Sequence, residues 1–424
     1  MLRRALTFTL IALTIETLIF PSQNYVSPGI FSFSVGSFNV RLVDVLVIIL
    51  SGAASLSGHT QPTAARTFVW WLAASIAYTG IAAYIGLSNG AAAGILFTQF
   101  RFLLYVLLLL PIVRALDPED ALRAGSDALK WVAVPLLVAG FMSYMEVRPT
   151  AIPGFPGSTF GQHGGDIGSI AGVLALCAVG KRAIHGKASW AALWLLYPLV
   201  STQRASILCS SLLGGVLVLI IWGNAGIFGS KGKRTFPVPA TLAVLAVICT
   251  LCLVQIFTAK NEIVTRVVDA ATAAFEGEGK AASAETRTQS FAYAMDLIRE
   301  QPWIGHGLGQ GVQFFDVYSG HFVPTDSAHN FLADVVVRGG VVGLMLGALL
   351  FWSALAGEKQ WSVTRLTWGA VLATVIAKGL LEPAFDKYRL TFLIAVSLVL
   401  VIASRTRLHV SGDQGEAREV RPRP

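Results

Sequence analysis

The chain has 424 residues, of which 54% are hydrophobic and 13% are charged, whereas a soluble domain is about 25% charged. This composition excludes an ordinary water-soluble protein. The formal net charge of +8 is a property that nucleic-acid-binding proteins share, but here the basic residues alternate between loops, so no nucleic-acid partner is expected.

Long apolar blocks recur along the chain at roughly the 20-residue length that a membrane-crossing helix requires. They lie near 5–21, 39–57, 67–87, 93–113, 128–145, 166–180, 188–203, 205–222, 238–257, 331–356, 361–380 and 388–403. The sequence therefore predicts an all-α polytopic membrane protein with about twelve transmembrane helices.

Basic residues mark every second loop of this arrangement, and the positive-inside rule then places both termini in the cytoplasm. The predicted organisation is a bundle of about nine helices over 1–257, one large and partly helical outer loop over 258–330, transmembrane helices over 331–403 and a basic cytoplasmic tail over 404–424. A signal peptide is the alternative for the first block, but no small-residue cleavage site follows it.

The short turn between the seventh and eighth predicted blocks, 188–203 and 205–222, holds one candidate catalytic residue. Arg204 follows Gln203 in a very short hairpin between two apolar blocks, on the outer side by topology. Its guanidinium can anchor to lipid headgroups, or it can grip phosphate oxygens in a bidentate manner.

The outer loop contains a predicted helix over 285–300 that ends before Pro302. Its predicted apolar face consists of Phe291, Ala294, Met295 and Ile298. Arg287 precedes Phe291 by four residues and therefore points from that face. It either extends to lipid headgroups or reaches an anionic group beneath the loop.

The glycine-rich segment 302–311, PWIGHGLGQG, follows that helix. Its alternating glycines predict either a backbone nest for phosphate or, more simply, a turn. His306 and His321 lie nearby, but with His329 they lack the spacing of metal ligands, so no metal is expected.

The segment 324–347 then predicts a membrane helix that starts near Ala328, capped by Asp326 or Ser327. His329 would lie in its first turn, where the positive helix end favours a neutral imidazole that can accept a proton. A capping or hydrogen-bonding histidine is the alternative. Arg338 lies deeper, four residues after Asp334, and a charge at that depth is expected to face the bundle interior or a water-filled cavity.

Three segments in order resemble the O-antigen ligase and O-antigen polymerase superfamily of bacterial membrane glycosyltransferases. They are the pattern H-N-x9-G-x-x-G-L over 329–344, the segment STQRAS over 201–206, and the stretch ETRTQSFAYAMDLIREQPWIGHGLG over 285–309. Thr202 and Gln203 stand where Gly-Ser is common in that family. The similarity spans roughly 190–350.

The resemblance implies a membrane fold related to the GT-C glycosyltransferases, with the active site on the periplasmic side of the bacterial inner membrane. It implies an undecaprenyl-diphosphate-linked glycan as donor, a glycan or lipid A–core acceptor, surrounding membrane lipids, and neither metal nor other cofactor. His329 matches the histidine that activates the acceptor hydroxyl, and Arg204 and Arg287 match arginines that hold the donor diphosphate. Asn330, Arg338 and Gln203 are expected to bind substrate.

Three alternatives stay open. The same framework serves a ligase, which we favour, or a polymerase of O-antigen or exopolysaccharide. A transporter or flippase of lipid-linked sugars would use buried charges and broken helices, for which Lys378, Glu382 and Asp386 at four-residue spacing are candidates; these can equally be ion pairs that hold the bundle. A non-catalytic assembly partner is the third possibility.

Overall fold

The structure, a computed structural model, is helical over most of the chain that it describes. The described residues are 1–19, 32–35, 38–57, 66–144, 150–151, 159–160, 164–185, 282–316, 321–325, 327–328, 330–355, 362–379 and 388–416. Three predicted spans, 188–203, 205–222 and 238–257, lie outside these residues. The other nine fall on described helices, so the total of about twelve and the GT-C relationship stay predictions.

The described residues up to position 185 form six helices and two small strand pairs. The helices are α1 (Leu2–Ile19), α2 (Leu42–Ser55), α3 (Arg66–Ser88), α4 (Ala93–Ala115), α5 (Pro118–Tyr144) and α6 (Gly164–His185). The antiparallel pairs are β1 (Ser32–Val35) with β2 (Phe38–Arg41), and β3 (Thr150–Ala151) with β4 (Thr159–Phe160). Hydropathy did not predict these strands, because they are short; β1, β3 and β4 lie between the apolar blocks, and β2 overlaps the start of the block 39–57.

The described residues between 282 and 416 form four helices and a hairpin. They are α7 (Ala282–Glu300), β5 (Val312–Asp316), β6 (His321–Thr325), α8 (Phe331–Leu355), α9 (Val363–Gly379) and α10 (Tyr388–Glu416). Strands β5 and β6 pair antiparallel, with Val312 opposite Thr325. The described part of the predicted outer loop is thus ordered, as its patterning indicated.

Three of the described helices are long and apolar enough to cross a membrane: α3, α4 and α8. Shorter apolar helical stretches are Leu42–Ser55, Val363–Ile376 and Arg389–Ser404. These helices support a helical membrane protein. They pack around one core in which α4 contacts α10, α5 contacts α1 and α6, and α8 contacts α3.

Buried polar contacts fix the helices to one another. Arg101 in α4 is buried, and its Nε lies 3.0 Å from Asp44 Oδ1 at the start of α2. The Tyr105 hydroxyl donates to the same oxygen at 2.5 Å. Since an unpaired charge is very costly in a membrane helix, this pairing explains Arg101 as a structural residue.

The C-terminal end of α8 is capped by a charged side chain from α9. Arg365 is fully buried, and its Nη2 donates to Ala354 O and Leu355 O at 3.2 and 2.9 Å. A cation at this end also complements the helix dipole. Lys378 is buried near the end of α9, whereas Glu382 and Asp386 lie outside the described residues, so their predicted alignment stays a prediction.

Candidate functional site

The start of α8 differs from its prediction. The helix begins at Phe331 rather than near Ala328, and Asn330 caps it: Leu332 N–H and Ala333 N–H donate to Asn330 Oδ1 at 3.0 and 3.2 Å. The predicted cap at Asp326 or Ser327 is therefore wrong. An asparagine oxygen satisfies the free amides of a first turn well. Position 329 precedes the cap, and His329 itself lies outside the described residues, as does Asp326.

Asp334 ties the segment before the cap to the first turns of α8. Its carboxylate is buried and accepts from the Ser327 hydroxyl at 2.5 Å and from Ala328 N–H at 2.7 Å. Charge-assisted hydrogen bonds of this length are among the stronger ones in proteins. The two residues that lead to position 329 are thus held in place by α8. The predicted pairing of Asp334 with Arg338 stays a prediction.

Helix α8 is broken nearly two turns beyond Asp334. Gly340 has φ +62° and ψ −170°, which no helix accommodates. Val341 N–H and Val342 N–H, on the far side of the break, donate to Pro302 O and Trp303 O at 2.8 and 3.2 Å. The segment 302–311 therefore enters the break and supplies acceptors that the helix has lost.

The same segment also uses the carbonyls before the break. His306 N–H donates to Val337 O at 2.8 Å, and Gly307 N–H donates to Arg338 O at 3.0 Å. Further along, Leu308 N–H donates to Ala82 O at 2.9 Å. Since these amides are occupied by protein acceptors, the structure favours the turn over the phosphate nest.

Glycine is required where the segment crosses its neighbours. A Cβ on Gly340 would lie 2.2 Å from Trp303 O, and a Cβ on Gly307 would lie 2.4 Å from Gly86 N. Gly305 and Gly307 also have positive φ, at +68° and +90°, a region that other residues rarely adopt. The glycines of this segment thus permit close backbone packing between α3 and α8.

Arg338 is buried beside this crossing. Its exposed fraction is 6%, and its Nε lies 3.4 Å from Gln310 O. The Tyr78 hydroxyl of α3 donates to the neighbouring Gly339 O at 2.6 Å. Arg338 therefore faces the bundle interior, as expected of a charge at this depth.

A largely apolar cavity of about 340 Å³ extends from Arg338 between α3, α4 and α8. Asp334, Arg338 and Gln99 supply polar atoms near the predicted outer ends of these helices, and Phe351 lies at the other end. From 334 to 351, a helix extends roughly 25 Å. The cavity thus combines a charged end with a long apolar wall.

Helix α7 packs against the start of α8 through a face that coincides only partly with the predicted one, since Ala294 and Ile298 belong to the contact and Phe291 does not. Ser290, Ala294 and Leu297 are buried, and the last two join a cluster with Val312, Ala328, Ala333 and Val337. Phe291 is 43% exposed, so its predicted burial is wrong. Small residues at 290 and 294 allow close approach to α8, and Phe291 cannot occupy that face.

Arg287 lies in α7, but its side chain is outside the described residues. The helical period places position 287 on the side of Ser290 and Ala294, three and seven residues on. Gln203 and Arg204 also lie outside the described part. Within the described residues, no three His, Cys, Asp or Glu side chains group as metal ligands.

The family model described as O-antigen ligase matches residues 190–348. This part of the chain is similar to the O-antigen ligase family, in agreement with the resemblance that the sequence motifs indicated. No match was found among curated proteins. The matched segment includes α7, the hairpin and most of α8, and therefore contains the glycine crossing and the helix cap.

Every residue that the sequence selected for the site lies inside this O-antigen ligase segment. They are Gln203, Arg204, Arg287, His329, Asn330 and Arg338. The structure places Asn330 at the cap of α8 and Arg338 within the same helix, where Arg338 lines the cavity. It adds Tyr78 and Gln99 from α3 and α4, which lie outside the matched segment and had no sequence signal beyond being polar residues in apolar helices.

Proposed function

We propose that this protein is a membrane glycosyltransferase that moves a glycan from an undecaprenyl-diphosphate-linked donor to a lipid A–core acceptor, outside the bacterial inner membrane. The O-antigen ligase match supports transfer of this type. The observation that carries the donor assignment is the cavity beside α8, because it pairs a buried cation with an apolar wall.

A lipid-diphosphate donor has both properties that this cavity suits. Part of its hydrocarbon chain gains stability from apolar walls, such as those of Leu103, Leu344 and Phe351. Its diphosphate needs a cation in a site with little water, because electrostatic attraction is stronger there. Arg338 supplies a guanidinium at the end of the cavity that lies nearest to position 329.

The proposed reaction needs a base and cations but no metal. His329 accepts the proton of the acceptor hydroxyl, whose oxygen forms the new bond to the anomeric carbon. The bond between that carbon and the diphosphate oxygen breaks, and the lipid diphosphate leaves with the negative charge. Arg204 and Arg287 stabilise this charge as it develops. Asn330, Arg338 and Gln203 bind and orient the substrates.

The packing of the described elements supports this grouping. Asp334 holds the backbone that leads to His329, and α7, which carries Arg287, packs against the same turns of α8. Residues that act on one reacting bond must be held at fixed separations. The helix cap uses only the side-chain oxygen of Asn330, and we assign its amide nitrogen to substrate binding.

A polymerase of O-antigen or exopolysaccharide is a second candidate, because the family match supports a glycosyltransferase of either the ligase or the polymerase type. A deletion strain distinguishes the two. A ligase deletion should remove lipid A–linked polymer while lipid-linked polymer persists, whereas a polymerase deletion should leave single repeat units. Unchanged glycans on both carriers would contradict both assignments.

A further inference from the structure

A second crevice, of about 410 Å³, lies between α1 and α5 and is remote in sequence from the proposed site. Its wall carries three cations, Arg3, Arg4 and Lys130, and two exposed aromatic side chains, Phe8 and Trp131. None of these residues belongs to the glycosyl-transfer machinery proposed above. Their combination therefore calls for an explanation of its own.

The crevice is positively charged after its own ion pairs are counted. Asp127 is the one carboxylate in its wall, and its Oδ1 lies 3.4 Å from both Lys130 Nζ and Lys181 Nζ. The wall itself has three cations against one carboxylate, and Lys181 beside it adds a fourth cation, so the net charge of this region is +3. Arg3 and Arg4 are exposed, and no described carboxylate pairs with either.

The surface beside the charges has the composition of a membrane–water interface. Trp131 is 75% exposed and Phe8 is 59% exposed, and aromatic side chains are enriched at the membrane–water interface. One turn further along α5, Val134 is 69% exposed. Ile11 continues the same apolar surface on α1. Cations thus lie at the end of the bundle, and apolar side chains follow toward the membrane interior.

We propose that this crevice binds an anionic phospholipid of the cytoplasmic leaflet. Its phosphate contacts Arg3, Arg4 and Lys130, and its acyl chains lie along Phe8 and Val134. Basic pockets between transmembrane helices on the cytoplasmic side suit phosphate headgroups. A zwitterionic lipid is disfavoured because its ammonium group would enter a crevice that already carries excess positive charge.

Native mass spectrometry of the full-length purified protein tests this assignment. The probes are phosphatidylglycerol and phosphatidylethanolamine with identical acyl chains. Wild-type protein should retain phosphatidylglycerol in preference. At about 1 kcal/mol per cation near a membrane surface, Arg3→Gln with Arg4→Gln should weaken that binding about 30-fold, and Lys130→Gln about fivefold. Lys130→Gln leaves the N-terminal segment, and hence the insertion signal, unchanged.

The matched control is Arg66→Gln with Arg114→Gln, which removes two exposed arginines at other helix ends of the same predicted side. This control should retain phosphatidylglycerol as wild type does. Equal retention of the two lipids by wild type, or an equal loss in the control, would overturn the proposal. So would near-wild-type binding by both crevice variants. The readout is lipid retention, so it does not depend on glycan transfer.

Discussion

Replacing Gly340 with alanine should destabilise the protein strongly, because one backbone conformation and two backbone hydrogen bonds at the α8 break depend on this glycine. Its φ of +62° with ψ −170° is a region that essentially only glycine occupies, and an added Cβ would lie 2.2 Å from Trp303 O. To relieve this clash, the backbone of Trp303 must move. The hydrogen bonds from Val341 N–H to Pro302 O and from Val342 N–H to Trp303 O then weaken.

The expected loss is about 2–6 kcal/mol of unfolding free energy: about 1–3 for the backbone strain and 0.5–1.5 for each hydrogen bond. Titration with sodium dodecyl sulfate in mixed micelles, followed by tryptophan fluorescence, measures it. The control is Gly347→Ala on the same helix, where nothing lies within 4 Å of the added Cβ. This control should lose no stability, since alanine favours helix. If Gly340→Ala is no less stable than Gly347→Ala, the break is not held as described.

Three further predictions concern the substrates and the topology. Arg204→Lys and Arg287→Lys should each lose most glycan transfer at normal protein levels, because lysine lacks the bidentate fork; normal transfer by both would exclude them from the site. Gly347→Phe should fill part of the cavity and raise the KM for the lipid-linked donor without reducing the folded yield, whereas an unchanged KM would place the donor elsewhere. Reporter fusions should read periplasmic at Gly279 and cytoplasmic at Pro424, and a cytoplasmic reading at Gly279 would contradict the site assignment.

The helices could be predicted because hydropathy and length are properties of the local sequence. The cap of α8 could not, since Asp326 and Ser327 are as suitable by type as Asn330. The Asp334 carboxylate decided between them, because the Ser327 hydroxyl and the Ala328 amide donate to it and Ser327 therefore does not cap the helix. The choice of Asn330 as the cap thus depends on a contact between Ser327 and Asp334, seven residues apart, which the capping propensities of single residues do not include.

The glycine crossing shows a similar limit at longer range. Alternating glycines between Pro302 and Gly311 indicated a turn. The insertion of this segment into the break at Gly340 depends on backbone hydrogen bonds between residues more than thirty positions apart. A periodic pattern in the sequence does not predict such bonds. Tyr78 and Gln99 were missed because hydropathy does not reveal which helices are neighbours. Phe291 was misplaced because apolar character was taken as burial, whereas close packing against α8 selected Ser290 and Ala294.

The most direct test of the proposed mechanism is turnover by His329→Ala, measured on purified protein with a defined lipid-linked donor and acceptor. The control is His321→Ala, since His321 is an exposed residue of β6. His306 is less suitable, because its Nε2 lies 2.9 Å from Leu297 O and ties the glycine segment to α7. Loss of a general base should lower the rate of His329→Ala about 10²–10⁴-fold, while His321→Ala stays near wild type. Near-normal turnover by His329→Ala would contradict the account.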